Sequence, residues 1–518
     1  MKKVIASILC AVMILMSFSI VSFAADEPVA KIGDTTYSSL EAAITAVNAD
    51  TSSVALTIEL LKDVTLETAK YAITRNNVTL DGKGFTLKVT GAAKADEILT
   101  FSGANNSIKN IKFDFNLGYI LHTGGGTAVI ENVSLTVPDD SSSLGSFADG
   151  AAYSGTRGRI TVTGAVNMTV KNCDIRSGKS APMTFTVGTN VATITLEDNK
   201  FINPKDYGRC IDVNGNNLKV TVKSGYYEVM STAVFRVWAG ELVVESGTFN
   251  MNGNGDALLA AQGYDAATGG KITVNNGVFI TKDKTKTACI YSGPGTIDVK
   301  AGVFINVGAG TPKAIKDGDT VVLDFEAGQK VAFLGNGIAP SMTDGAAVVL
   351  KENTNGLCFT STISKQVMDD AKSILSALEA LATEEKPASL TFGTLICTTK
   401  SLEGPGGTSV AFTHQGLASA IDTVWGDVVA TETGMENRSN GSVSYKAAVS
   451  NIPSEKLSEK YSAVSYIKFS AGTTEFYLYS EYSEASNSRS LADVVAAALS
   501  DGSASYTDAQ KSIMNSIH

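Results

Sequence analysis

The chain has 518 residues, with 42 Lys and Arg against 52 Asp and Glu, 48 Gly and only three His. A hydrophobic fraction of 44% is enough for a buried core and excludes global disorder. The net charge of −10 disfavours nucleic acid and anionic membrane surfaces as partners, and three histidines leave little room for His-based metal or acid–base chemistry.

In chain order, Met1-Lys2-Lys3 is a basic start. Val4 to Val21 is almost wholly apolar, and Ser22-Phe23-Ala24 places small residues before a cleavage point. This is the pattern of a secretory signal peptide, residues 1–24. A secreted, extracellular or cell-surface-associated chain is expected, with no membrane insertion after cleavage. Five cysteines follow, Cys173, Cys210, Cys289, Cys358 and Cys397, without any CxxC spacing, so buried free thiols are expected rather than a zinc site or a disulfide framework. Residues 25–49 read as an N-terminal cap. Ser38-Ser-Leu-Glu41 looks like a capping box opening a short helix, with Leu40, Ala43, Ile44 and Val47 on its buried face.

An internal repeat organises residues 50–340. Its phrase occurs eight times: Ile108 to Phe113, Ile130 to Leu135, Val170 to Ile175, Leu196 to Phe201, Val222 to Tyr227, Val244 to Phe249, Val274 to Phe279 and Val299 to Phe304. The copies recur every 22 to 30 residues, apart from one 40-residue interval. The first and sixth columns are apolar or aromatic in every copy. Strand-like alternation leads into each first column, through residues such as Met168, Ile194 and Val220. The second column runs Lys109, Glu131, Lys171, Glu197, Lys223, Glu245, Asn275, Lys300. Alternating signs fit equivalent residues stacked on neighbouring parallel strands, where like charges would repel. The third column holds Asn110, Asn132, Asn172, Asp198, Ser224, Ser246 and Asn276, short polar groups able to form a ladder at a turn; Ala301 is the exception. The fourth becomes Gly in the last four copies. The sixth-column rings Phe249 and Phe279 belong in the core, not to an exposed aromatic platform. A coil of this length returning to the same columns describes a parallel β-helix solenoid.

Residues 341–518 read as a smaller α+β domain and a plausible cap for the open end of the solenoid. Ser364 to Glu385 has a helical stripe of Val367, Ala371, Ile374, Leu375, Leu378 and Leu381. Strands are expected at 389–397, 442–449, 463–469 and 474–479, and a last helix at 491–499.

Together, the Thr79-Leu80-Asp81-Gly82-Lys83-Gly84-Phe85-Thr86-Leu87 phrase and the Asn-turn coils resemble the right-handed parallel β-helix proteins of the pectin-lyase-like class. The Gly356 to Ile363, Phe392 to Ile396 and Ser486 to Asp493 phrases resemble a C-terminal module of extracellular bacterial proteins. The first resemblance implies the architecture and leaves the activity open, because that fold hosts lyases, hydrolases, adhesins and stalks. A lyase needs a Ca²⁺-binding carboxylate cluster with an Arg or Lys base, and a hydrolase needs paired Asp residues. Asp139-Asp140, the only tandem Asp of the solenoid, lies in a Ser-rich loop. No catalytic residue, metal ligand or cofactor is assigned, Ca²⁺ being relevant only to the lyase alternative.

The best binding candidate comes from another strand of each coil. Counting back from Gly188, Gly215, Gly240, Gly263 and Gly293 aligns Thr186, Val213, Trp238, Ala261 and Tyr291. Asp212 and Arg236 lie beside this column, with Arg209 and Asp256 nearby. An exposed Trp238 and Tyr291 with these charges suits a sugar, which offers a face to stack and hydroxyls or uronate groups to bond. The alternative is a Trp238 that fills the core beside an ordinary Asp212–Arg236 ion pair. The 40-residue coil between Leu135 and Val170 fits a binding insertion or a mobile loop. His122 and His414 lack a nucleophile motif and read as structural or solvated. The expected protein is a β-helix that binds a polysaccharide or cell-surface glycan, the rivals being a lyase or hydrolase on acidic glycans and a passive stalk that presents residues 341–518.

Overall fold

The computed structural model describes residues 27–517, except 68–69, 94–95, 138–143, 145–156, 206–207, 254, 264–267, 283–287, 336, 352–353, 405–406, 421–424 and 502–505. The expected signal segment and the Asp139-Asp140 pair lie outside the described residues. The fold is mainly β, with a β-solenoid of about nine turns followed by smaller sheets. No helix among the described residues is long and apolar enough to cross a membrane.

Each coil contributes three short strands, which stack into three parallel faces. Face one carries the first column, as in Val166–Lys171 on Ala192–Glu197. Face two carries the sixth column, as in Asn199–Asn203 on Gly225–Val229. Face three closes the coil, as in Arg209–Gly215 on Ala233–Val237. The second column stacks in register, Lys109 and Lys171 flanking Glu131 at 3.7 and 2.8 Å. These pairs are solvent-exposed, so their main effect is on register.

The turn between faces one and two is solved in two ways. In four early coils Asn110, Asn132, Asn172 and Asp198 take left-handed φ of +50° to +53°. This region costs an ordinary L-residue about 1–2 kcal/mol, and Asn and Asp tolerate it best. The side chains also form the expected ladder, Asn132 donating to Asn110 at 2.8 Å and Asn110 to Asp81 at 3.1 Å. From Gly225 onward the positive φ moves one residue on, to Gly225 (+124°) and Gly247 (+130°). The change is coupled to the core. Ile111, Val133, Cys173 and Asn199 fill the inside at the fourth column of the early coils, and all are buried. In the later coils that space goes to rings: Tyr227, Phe249, Phe279 and Phe304 stack at 5.0–5.5 Å. A Cβ on Gly277 would stand 3.0 Å from the Phe279 ring. Asn199 marks the handover, donating to the Val170 carbonyl and accepting from the Cys173 amide.

Antiparallel strands cover one face of the solenoid at the start and two at the far end, which reduces the open edges. At the start Ala30–Ile32 pairs antiparallel with Leu56–Leu60, and helix Leu40–Ala49 buries Leu40, Ala43, Ile44 and Val47. Its cap is Ser39, accepting from the Ala42 amide; Ala42 has no polar side chain to return the bond, so the expected capping box from Ser38 to Glu41 does not form. At the far end the parallel ladder stops at Gly302–Asn306 and Lys313–Asp317. Thr320–Leu323 and Val331–Leu334 then add antiparallel to faces three and two. The closure is thus made within the repeat region itself, ahead of residue 340.

The C-terminal sheets stand against the flank. Two antiparallel five-stranded sheets, centred on Thr354–Ile363 and Lys460–Ala471, pack face to face. Helix Lys365–Leu378, capped by Ser364, lays Ala371, Ile374, Ala377 and Leu378 on outward Val278, Ile280, Val303 and Ile305 of face two. The strands at Ser389–Thr398, Val443–Ser450, Lys460–Ala471 and Thr474–Tyr479 lie where the alternation puts them. The five cysteines are free thiols, all buried except the half-buried Cys358.

Candidate functional site

On face three, alternation decides which side chains leave the core. Ile211, Val213, Phe235 and Val237 are fully buried inside, which turns Asp212 and Arg236 outward on adjacent coils. Asp212 accepts from Arg236 Nε at 2.9 Å and Nη2 at 3.3 Å, and from Arg209 Nη1 at 2.8 Å. Two guanidinium groups thus share one nearly buried carboxylate. The Arg236 guanidinium also lies 4.6 Å from the centroid of the half-exposed Trp238 ring. Burial and the neighbouring Arg209 charge push Arg236 below its ordinary range, and Asp212 offsets part of that. Trp238 is therefore an outer-surface residue, and the core-filling alternative does not hold.

The expected alignment slips by one residue. Asp212, Arg236, Ala260, Tyr291 and Lys316 form one outward column, while Val213, Val237, Ala261 and Ser292 form the inward one. Tyr291 therefore stacks above Arg236 and Ala260, not above Trp238. The glycines used for counting sit beyond a register shift between Thr186 and Gly188, where the coil length varies. The half-buried Tyr291 packs on Ala233, Ala257 and Ala260, whose small side chains make a low step beside the arginines. Asp256 is exposed at the turn before this step, and its charge reaches Arg236. Of the six expected residues, Arg209, Asp212, Arg236, Trp238 and Tyr291 share the outer side of face three, and Asp256 stands at the adjoining turn.

Toward the N-terminus that side is covered. Outward Thr161 and Thr184 are buried and bond each other at 3.1 Å. Leu144 of the long coil packs on outward Tyr119 and Leu121, its amide donating to Ser180. Leu144 and Arg157, which lies over the Tyr119 ring and donates to the Leu144 carbonyl, thus cover this side of the early coils. His122 points inward, stacked on Phe101, with Nε2 3.1 Å from the Asn106 carbonyl.

A second constellation lies in the C-terminal sheets. His414 Nε2 is 3.2 Å from Asp427, and its Nδ1 is 2.8 Å from the Tyr479 hydroxyl. The buried Tyr466 donates to the same Asp427 at 2.7 Å. A carboxylate only accepts, so the proton sits on Nε2 and Nδ1 accepts from Tyr479. Burial pushes the Tyr479 hydroxyl up to about 12, which keeps it a donor. The Tyr477 ring lies 4.3 Å from the imidazole. The only sequence signal for this cluster is the alternating Tyr477 and Tyr479 of a single strand. Among the described residues, no group of three or more His, Cys, Asp or Glu side chains is placed to hold a metal ion.

Comparison with protein-family models, curated proteins and solved structures finds no match to this chain.

Proposed function

We propose that this protein is a secreted β-helix that binds polysaccharide along the outer side of face three. The observation that carries the reading is the partly exposed Trp238 ring next to Arg236, itself locked by Asp212, with Tyr291 two coils further on. A sugar ring can stack on the aromatic side chains, while guanidinium N–H groups bond its hydroxyls or a uronate carboxylate. Arg209 and Arg236 are already held by Asp212, and Tyr291 by packing, which lowers the entropy lost on binding. The apolar segment before Ala24 supports export, and the resemblance of the Asn-turn coils to pectin-lyase-like proteins is consistent with a glycan ligand.

The test is a glycan array followed by calorimetry on the purified protein. Binding of an acidic oligosaccharide that falls at least tenfold in both Trp238→Ala and Arg236→Ala is expected. An array without any bound glycan, or binding indifferent to both changes, would sink the reading. Chain cleavage of the bound polymer would replace binding by turnover as the activity.

A further inference from the structure

A cavity of about 690 Å³ opens where the closing strands of the solenoid meet the C-terminal sheets. This falls within the range of about 300–1,000 Å³ usual for small-ligand sites. One wall is the Leu323–Phe333 segment. The other is Thr413, His414 and Gln415 together with Thr474 to Tyr479. We propose that this cavity is a second carbohydrate site, specific for a neutral, hydroxyl-rich sugar unit. The proposal extends the polysaccharide reading to a separate place and a different charge class.

The chemistry of the walls carries it. Phe333 is 51% exposed at the rim, an unusual state for a large ring, and Tyr477 and Tyr479 stand opposite. These are the flat apolar surfaces against which the C–H face of a pyranose packs. Between them lie uncharged groups that both donate and accept, Thr413, Gln415 and Gln329, and carboxylates that accept from hydroxyl pairs, Asp324, Glu326 and Glu475. Two of the carboxylates are oriented from outside the cavity, Glu475 by Lys468 at 2.9 Å and Asp324 by Lys313 at 2.5 Å. The back wall is held by the hydrogen-bonded chain from Tyr466 through Asp427 and His414 to Tyr479. A fixed wall of this kind positions hydroxyl partners without paying for their ordering on binding. No Lys or Arg lines the cavity among the described residues, and the nearby Lys468 and Lys313 are already paired with Glu475 and Asp324, so a uronate, sulfate or phosphate would enter beside carboxylates. Face three has the reverse character, with two guanidinium groups at its centre.

The experiment uses the full mature chain and calorimetry with neutral gluco-, galacto- and N-acetylhexosamine oligosaccharides. Phe333→Ala and Glu475→Gln alter exposed side chains and should leave the melting temperature unchanged. Expected is binding of a neutral oligosaccharide that weakens at least tenfold in each cavity variant and persists in Trp238→Ala. No neutral-sugar binding by the wild type overturns the proposal, as does binding untouched by both cavity variants. Loss in Trp238→Ala alone also overturns it and leaves the face-three reading standing. If acidic glycans fail to bind while the cavity pattern holds, the face-three reading falls and the cavity stands.

Discussion

Faces two and three run along the same coils, yet their outer sides diverge toward the C-terminal end. Face two presents Val278, Ile280, Val303 and Ile305, and helix Lys365–Leu378 covers them. Face three presents Tyr291 and Lys316 at the corresponding levels, and Arg236 and Trp238 two coils earlier, all left partly exposed. Backbone pairing is the same on both, so the ladder does not choose between them. The outward residue on each strand does: apolar pairs recruit a helix, while charged and aromatic groups stay available to a ligand.

Four measurements sharpen or break this contrast. The largest effect is expected inside, where the faces share one core. Phe249 stacks on Tyr227 and Phe279 and meets Phe235 of face three edge-on. Phe249→Ala should cost about 3–5 kcal/mol in chemical denaturation and lower the stability of both faces together. A cost under 1 kcal/mol would mean that the coils are not closed on a common core.

Next comes the polar residue in the covered side of face two. Asp370 sits in the buried stripe of the helix, accepting from Gln366 at 2.9 Å and Ser246 at 3.2 Å. Burial pushes its carboxyl up to about 6. Unfolded, it titrates near its ordinary value of 3.8. The folded state therefore binds the extra proton between these values, and stability falls as pH rises through that window. Above it the ionised carboxylate is a standing cost, so Asp370→Asn should stabilise by about 2 kcal/mol at pH 7.5. At pH 4 the gain should vanish.

On face three, removing Asp212 leaves Arg209 and Arg236 side by side without their carboxylate. Asp212→Ala should cost about 1–2 kcal/mol, less than a fully buried pair because the guanidinium groups reach solvent. The cost should shrink in high salt, which screens the remaining repulsion. A salt-independent loss would place the effect in packing instead.

The smallest effect is at His122. Its Nε2 faces the Asn106 carbonyl, Nδ1 has no hydrogen-bond partner among the described residues, and burial holds the imidazole below its ordinary 6.5. The neutral ring favours the fold, so this contribution is complete above pH 6.5 and is lost as pH falls below it. Thermal melts from pH 7 to 5 should show a declining melting temperature that flattens in His122→Phe. An equal slope in the variant would assign the decline to other groups.

Much of the solenoid was legible because each column residue meets its own counterpart on the next coil. The charge column, the third-column Asn residues and the sixth-column rings could be read from the repeat alone, since stacking makes the periodicity a contact list. Face three resisted this reading. Its strands follow turns of unequal length and a register shift at Thr186 to Gly188, so glycine positions do not transfer between coils. A one-residue slip exchanges inside and outside, which is why Tyr291 was matched to Trp238 rather than Arg236. The helix cap differs by the same single residue, Ser39 standing where Ser38 was expected, and the box with Glu41 is lost with it. The His414 constellation was out of reach, because its members come from positions 414, 427, 466, 477 and 479 on one short helix and three strands.

Sequence by itself determined the coil on faces one and two: which column residues face inward, where the turn between them falls, and which charges stack. Local sterics and period-two alternation act between near neighbours, and a linear chain records them directly. Tertiary structure alone decided that the ends close antiparallel before residue 340, that a helix shields face two, and that a cavity forms against the last coil. The closures depend on pairings outside the repeat columns, and the covering helix on contacts between segments far apart in the chain, such as Ser246 with Asp370. No spacing in the chain encodes such a contact until the solenoid has been built.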